Sequence, residues 1–203
     1  RVGGTKDFDT DRIRALKPDL ILANKEENTQ KGIQELMKEF PVWVSDISHL
    51  DDALNMIAST GTLTGKDERA MSIIQEIRHG FDALAGDPQL EALRGKRAVY
   101  YIWKKPWMVA GSDTFICDMM KRCGFIPFPV PPRYPELDPA LLASSDIDYV
   151  LLSSEPYPFG EKERVLIENL LPDSRIRLVD GTFFSWYGSR LKNAPSYFNS
   201  VFR

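Results

Sequence analysis

The sequence predicts an α/β fold: two Rossmann-like lobes with parallel sheets, joined by one long spine helix. Three observations carry this expectation. First, the run Thr10-Asp11-Arg12-Ile13-Arg14-Ala15-Leu16-Lys17-Pro18-Asp19-Leu20-Ile21-Leu22-Ala23 reads as a helix entering a buried strand, and residues 138–153 repeat that reading. Each copy is followed by a charged segment and a second strand ending in Asp, at Asp46 and at Asp180. Second, strands alternate with helices along the chain, the pattern of parallel α/β sheets. Third, residues 66–84 form an amphipathic stretch midway between the two copies, with Ala70, Ile73, Ile74, Ile77, Phe81 and Leu84 at helical spacing. At 1.5 Å per residue that stretch spans about 28 Å, the width of a small domain. The expected organisation is a partial N-terminal lobe at 1–60, a linker and spine at 61–94, and a C-terminal lobe at 95–203.

In the first lobe a helix is expected at 10–17 with Ile13 and Leu16 on one face, broken by Pro18, and a strand at 20–23. A second helix follows at 29–38, with Ile33, Leu36 and Met37 inward, and a strand at 41–45. Asp51 and Asp52 cap a helix reaching about Thr60, and Gly61 to Gly65 interrupt it before the spine. The second lobe opens with a strand at 98–103. A helix at 113–123 is capped by Ser112 or Asp113, and the proline-rich 125–139 stretch is an extended loop. Helix 138–145, strand 149–153, helix 161–171, strand 176–179 and a short helix beyond Gly188 complete it.

Composition narrows the function. The chain has 203 residues, 43% hydrophobic and 27% charged, with net charge −3. No positive field recruits nucleic acid, and no apolar run reaches the roughly 20 residues of a membrane helix. The two cysteines, Cys117 and Cys123, are six apart on an expected helix and do not face each other, so they read as buried thiols rather than a disulfide. His49 and His79 read as surface histidines, too few for a His-rich metal site. Walker, GxGxxG, GxSxG, HExxH and CxxC motifs are absent.

Aromatic residues are more informative. Tyr101, Trp103 and Trp107 accompany one strand, Phe128 and Tyr134 lie in the proline-rich loop, Tyr157 and Phe159 follow the next strand, and Phe183, Phe184, Trp186 and Tyr187 follow the last. All four groups are expected at or beyond strand ends, where open α/β sheets bind ligands. Two such lobes facing each other would leave a cleft for a small molecule. About half of the rings are expected to cap the core instead. Arg190 is a candidate anchor for a carboxylate, phosphate or amide, with a structural ion pair as the competing reading. Glu155 and Asp180 are the candidate acids, and neither has a nucleophile at a fixed spacing.

These pieces resemble the helical-backbone metal receptor family, the substrate-binding proteins of ABC importers for cobalamin, haem and iron-siderophore complexes. The resemblance runs from Arg1-Val2-Gly3-Gly4 and Asp11-Arg12-Ile13 through Ala15-Leu16-Lys17-Pro18-Asp19 and Val44-Ser45-Asp46. It continues at Gly111-Ser112-Asp113 and Cys123-Gly124 and ends in Trp186-Tyr187-Gly188-Ser189-Arg190-Leu191. It implies a noncovalently bound cobalamin or ferric chelate, no resident cofactor or metal, and an ABC permease as partner. It implies ligand contacts from Thr5, Tyr134 and Trp186, which join Tyr101, Trp103, Trp107, Tyr157, Tyr187 and Arg190 from the strand-end reading as the expected ligand-binding set. Thr5 and Tyr134 stand where ring-contacting tryptophans stand in the B12 binders. Asp11 matches one permease-docking acid; Ala140 holds the second position, with Glu136 and Asp138 beside it. Cys123 matches one half of a family disulfide, and Asn199 lies near the position of the other half. The family also implies a further strand and helix before Arg1, so the first lobe is expected to be incomplete, and a periplasmic or cell-surface location. Two alternatives stand beside this reading: a cytosolic corrinoid or chelate sensor not coupled to a transporter, and an enzyme acting on a corrinoid through Glu155 or Asp180.

Overall fold

The computed structural model describes residues 1–203, and the chain divides into two units, Arg1–Ile47 and Ser48–Arg203.

In the smaller unit, helix α1 (Thr10–Leu16) begins where the Asp9 carboxylate accepts the backbone N–H groups of Asp11 and Arg12, each at 3.0 Å. It stops at Lys17, whose φ of 49° leaves the right-handed region just before Pro18. The expected inward face is only partly so: Ile13 is half-buried and Leu16 exposed, and α1 buries no residue. Arg14 supplies the attachment, reaching Glu35 at 2.6 Å and Glu39 at 2.8 Å. Strand β1 (Ile21–Asn24) pairs in parallel with β2 (Val42–Ser45), Ile21 opposite Val42 through Asn24 opposite Ser45. Helix α2 (Gln30–Leu36), with Ile33 and Leu36 buried and Met37 exposed, lies in the crossover a parallel pair requires.

The larger unit opens with α3 (Leu50–Leu63) and α4 (Asp67–Ala85). Contrary to expectation, α3 does not stop near Thr60 but runs through Gly61. A Cβ on Gly61 would lie 2.4 Å from the Ala70 methyl, so this glycine allows the two helices to approach, and the turn falls instead at Gly65, φ 64°. Five of the expected inward residues of α4 are buried, and Ile73 is half-buried.

Five strands follow: β3 (Arg97–Lys104), β4 (Trp107–Val109), β5 (Ile126–Pro127), β6 (Tyr149–Ser153) and β7 (Arg175–Val179), in the order β4-β3-β6-β7 with β5 also on β3. β3, β5, β6 and β7 are parallel and β4 is antiparallel. Every residue of β6 is buried, as a central parallel strand requires. Helix α5 (Phe115–Arg122) is capped by Thr114, not by Ser112 or Asp113, because Thr114 has the extended backbone that turns its hydroxyl onto the Cys117 N–H. The expected helix at 138–145 is a 3-10 turn, Pro139–Leu142. Asp138 caps the Ala140 N–H, and Ser145 N–H bonds back to Leu142, three residues away, so no α-helical turn propagates. α6 (Glu161–Leu170), α7 (Thr182–Ser185), a 3-10 turn Ser189–Asn193 and α8 (Ala194–Phe202) complete the unit. α4 packs on α3, α8 and the Ser189–Asn193 turn.

Cys117 and Cys123 are free and buried, and burial pushes both thiols upward. No helix is long and apolar enough to cross a membrane.

Candidate functional site

The carboxyl ends of β3, β6 and β7 carry the loops that hold most of the expected site residues. Each loop is fixed from below by the sheet.

Tyr101 is the clearest correction. It lies within β3, between β4 and β6, with 0% exposure, packed among Val99, Val150, Leu152 and Ile176. With strands on both sides and both faces of β3 covered, this ring is part of the core and presents no surface to solvent. Trp107 does not trail the first strand as a loop residue; it opens β4, opposite Lys104. Its ring meets the Tyr101 ring edge-on at 5.4 Å and stacks on Phe159 at 5.7 Å with a 16° tilt. Phe159 in turn meets Tyr157 at 4.7 Å, and Tyr157 meets Trp103 at 5.7 Å. Trp103, Tyr157, Phe159, Trp107 and Tyr101 therefore form one continuous run of rings. Trp103, at the outer end, is 39% exposed, and its indole N–H is satisfied by the Lys105 carbonyl at 3.1 Å.

A second group gathers beyond β7. Trp186 is 53% exposed, and its indole N–H donates to Glu155 Oε1 at 2.8 Å. The Arg190 guanidinium lies 4.2 Å from the Phe183 ring centroid and 5.8 Å from that of Trp186, and it pairs with Asp180 at 3.3 Å. Phe183 is stacked from behind by Tyr197, centroids 4.2 Å apart. Tyr187 turns away from this group, edge-on to the buried Phe115 at 5.4 Å. The loop after β6 links the two groups, because Glu155 reaches Trp186 while Tyr157, two residues on, reaches Trp103.

The remaining expected residues lie elsewhere. Tyr134 is half-buried beneath the Arg133 guanidinium, 5.5 Å from its ring. Glu136 and Asp138 line a hollow of about 430 Å³ with Lys104, Lys105, Pro106 and Trp107. In the smaller unit, Thr5 is exposed with its hydroxyl on Glu27 at 3.3 Å, and the Asp11 carboxylate is 88% exposed beside Arg14.

Under the platform the Tyr101 hydroxyl and Arg190 Nε are buried without a hydrogen-bond partner, whereas the groups around Ser153 and Glu155 are closely paired. Burial pushes the Tyr100 phenol far above its usual range, so it stays protonated and donates to Ser153 Oγ at 3.0 Å. Ser153 Oγ bonds the Glu155 carbonyl at 2.5 Å, and Gly181 N–H donates to Ser154 Oγ at 3.0 Å. Glu155 Oε1 also accepts from Ser185 Oγ at 2.8 Å. Asp180 Oδ1 accepts from the Thr182 hydroxyl at 2.7 Å. Both candidate acids are thus engaged as acceptors. Below Trp107, Lys104 pairs with Glu163 at 2.8 Å, holding that carboxyl below its ordinary value.

The arrangement offers exposed aromatic faces whose polar edges are already paired, beside one guanidinium. A sequence model of the periplasmic binding protein family matches residues 1–171. The chain belongs to this family. The vitamin B12-binding protein of Yersinia pestis (strain Pestoides F) is 24% identical over 124 residues, 61% of this chain and 44% of that protein. The chain thus matches less than half the length of this curated relative. Among solved structures, the periplasmic vitamin B12 binding protein BtuF of Vibrio cholerae superposes with a TM-score of 0.83 at 17% identity, covering 100% of this chain and 80% of that one. The periplasmic heme-binding protein BhuT gives 0.81 at 19% identity, covering 100% and 83%. The catecholate-siderophore binding protein VctP of Vibrio cholerae gives 0.77 at 14%, covering 99% and 77%. At these identities the superpositions establish a shared fold.

Proposed function

We propose that this chain is the substrate-binding component of an ABC-type importer and that it holds a ring-bearing metal chelate, a corrinoid, haem or ferric siderophore, against the aromatic face of its larger unit. One observation carries the reading: Trp186 presents an exposed indole whose N–H is already paired with Glu155, with the Arg190 guanidinium alongside. An indole without an unpaired edge offers an apolar, polarisable face, suited to stacking by a flat ligand. Arg190 keeps donors beyond its single 3.3 Å contact to Asp180 and supplies the orienting polar contact. Trp103 and Tyr157 form a second ring pair, at the ends of β3 and β6. The family, and relatives named for vitamin B12, heme and catecholate siderophore, support this class of ligand. Binding is noncatalytic in this reading. Asp11, Glu136 and Asp138 serve the permease contact, and the protein works in the periplasm or at the cell surface.

The test is a titration of tryptophan emission with cyanocobalamin, haemin and a ferric tris-catechol chelate. Saturable quenching by one of the three is expected. Emission unchanged by all three, with no heat of binding, would sink the reading.

A further inference from the structure

We propose that Glu155 is a positioning residue for Trp186: its carboxylate fixes the plane of the indole that the ligand stacks on. This inference rests on the ligand reading above for its consequence, but not for its geometry.

Trp186 sits just past the end of α7 with an extended backbone, φ −97° and ψ 109°, and half its surface in solvent. An exposed side chain with two free torsions samples several rotamers unless something holds it. Here the hold is polar rather than ring packing. Oε1 of Glu155 accepts from Trp186 Nε1 at 2.8 Å and lies 2.8 Å from Ser185 Oγ, whose single proton it shares with the Gly181 carbonyl at 2.9 Å. The bond from Nε1 fixes the edge of the indole, and the Ser185 hydroxyl keeps the accepting oxygen in place.

Glu155 is itself immobilised. Its backbone N–H donates to Ser153 Oγ at 3.2 Å and its carbonyl accepts from the same hydroxyl at 2.5 Å. That hydroxyl is held by the Tyr100 phenol, which is fully buried. Gly181 closes the arrangement, since its Cα passes so near the loop that a Cβ would lie 2.7 Å from Glu155 Cγ. Polar contacts thus tie a core tyrosine of β3, through Ser153 and Glu155 at the end of β6, to an exposed indole beyond β7. Trp103 gives the contrast: its indole N–H is held by a backbone carbonyl, which no substitution at that position removes.

A carboxylate acceptor makes a strong bond, and its loss frees the platform to rotate. Removing it should weaken stacking about tenfold, a change of about 1.4 kcal/mol.

Four tryptophans give four indole N–H signals in a ¹⁵N-labelled sample, and Trp186→Phe identifies the one that matters. Without ligand, Glu155→Ala should move that signal upfield and speed its exchange with solvent, leaving the other three in place. Glu155→Gln, whose amide oxygen still accepts, should leave it close to wild type. Glu155→Asp, drawn back by about one carbon–carbon bond, 1.5 Å, should lose it while keeping the charge and a fold close to wild type. The same variants are then titrated with cyanocobalamin and haemin. For the probe that binds wild type, the Ala and Asp variants should weaken about tenfold and Gln should restore binding. A Trp186 signal unmoved in both the Ala and Asp variants would overturn the proposal, as would a moved signal with undiminished affinity. If neither probe binds wild type, the ligand reading fails, and the indole signal alone decides whether Glu155 holds Trp186.

Discussion

Gly181→Ala separates steric control of the site from ordinary loop chemistry. Gly181 has φ −57° and ψ −29°, a conformation alanine adopts freely. On backbone grounds alone the substitution should stabilise the fold by about 0.4–1 kcal/mol, because it restricts the unfolded chain. The surroundings reverse that sign. A Cβ would stand 2.3 Å from Ser153 Oγ, 2.7 Å from Glu155 Cγ and 3.3 Å from Glu155 N. Ser153 cannot step aside: it is 1% exposed, and its hydroxyl is bonded to Tyr100 and to both backbone groups of Glu155. Overpacking of this kind costs about 1–3 kcal/mol, leaving a net loss of about 1.3 kcal/mol at mid-range once the chain-entropy gain is subtracted. For a chain of this size each kcal/mol lowers the melting temperature by about 2–4 °C. The assay is thermal melting by circular dichroism, with Gly86→Ala as control. There a Cβ would meet nothing nearer than 3.9 Å, and a neutral or slightly stabilising result is expected. A Gly181→Ala protein as stable as wild type, or more so, would refute the close approach of the β7 loop to the Glu155 loop.

Glu163→Gln removes the charge from the Lys104 pair, whose side chains are only 17% and 9% exposed, and should cost about 1–3 kcal/mol near neutrality. The Lys104 and Gly160 N–H groups hold the Glu163 carboxyl below its ordinary 4.5, so its contribution is present above that value and is lost as the pH falls through the folded pKa. Lys104 is raised above 10.5 by Glu163, so its contribution is present below that value and is lost as the pH rises through the folded pKa. Denaturation of wild type and variant across pH should therefore show a gap that narrows at both extremes; an equal gap at every pH would contradict the pairing. Cys117 and Cys123, both buried with raised thiols, should resist a disulfide exchange reagent at neutral pH and react fully in denaturant. Rapid labelling of the native protein would disprove their burial.

Much of the fold was legible because periodicity reports burial directly. The inward face of α4 and the apolar run of β6 both follow from spacing, and the near-repeat gave the strand–helix alternation. The misses have local physical causes. Gly61 reads as a breaker, yet it is there because another helix lies against it. Residues 138–145 carry helical spacing, but three-residue hydrogen bonds keep the segment in a 3-10 turn. β4 is three residues long, and its pairing with β3 leaves no periodic trace.

The site was legible by residue type and less so by role. Aromatic content at strand ends marked the right loops. It did not distinguish Tyr101, sealed in the core between β4 and β6, from Trp103, which lies past the irregularity in the β3–β4 register and is exposed. Phe159 was visible as a ring, but its place as the link between Trp107 and Tyr157 depends on the turn of the loop. Glu155 was visible as an acid with no partner at fixed spacing. Its partners lie 30 and 31 residues away, across two strand ends, beyond the reach of any local pattern.

The most direct test of the central claim is a crystal structure of the complex with whichever chelate shows saturable binding. The ligand ring is expected to lie flat on the Trp186 indole at van der Waals separation, about 3.5–4 Å, with the Arg190 guanidinium at its edge. A bound chelate that leaves the Trp186 face open to solvent would contradict it.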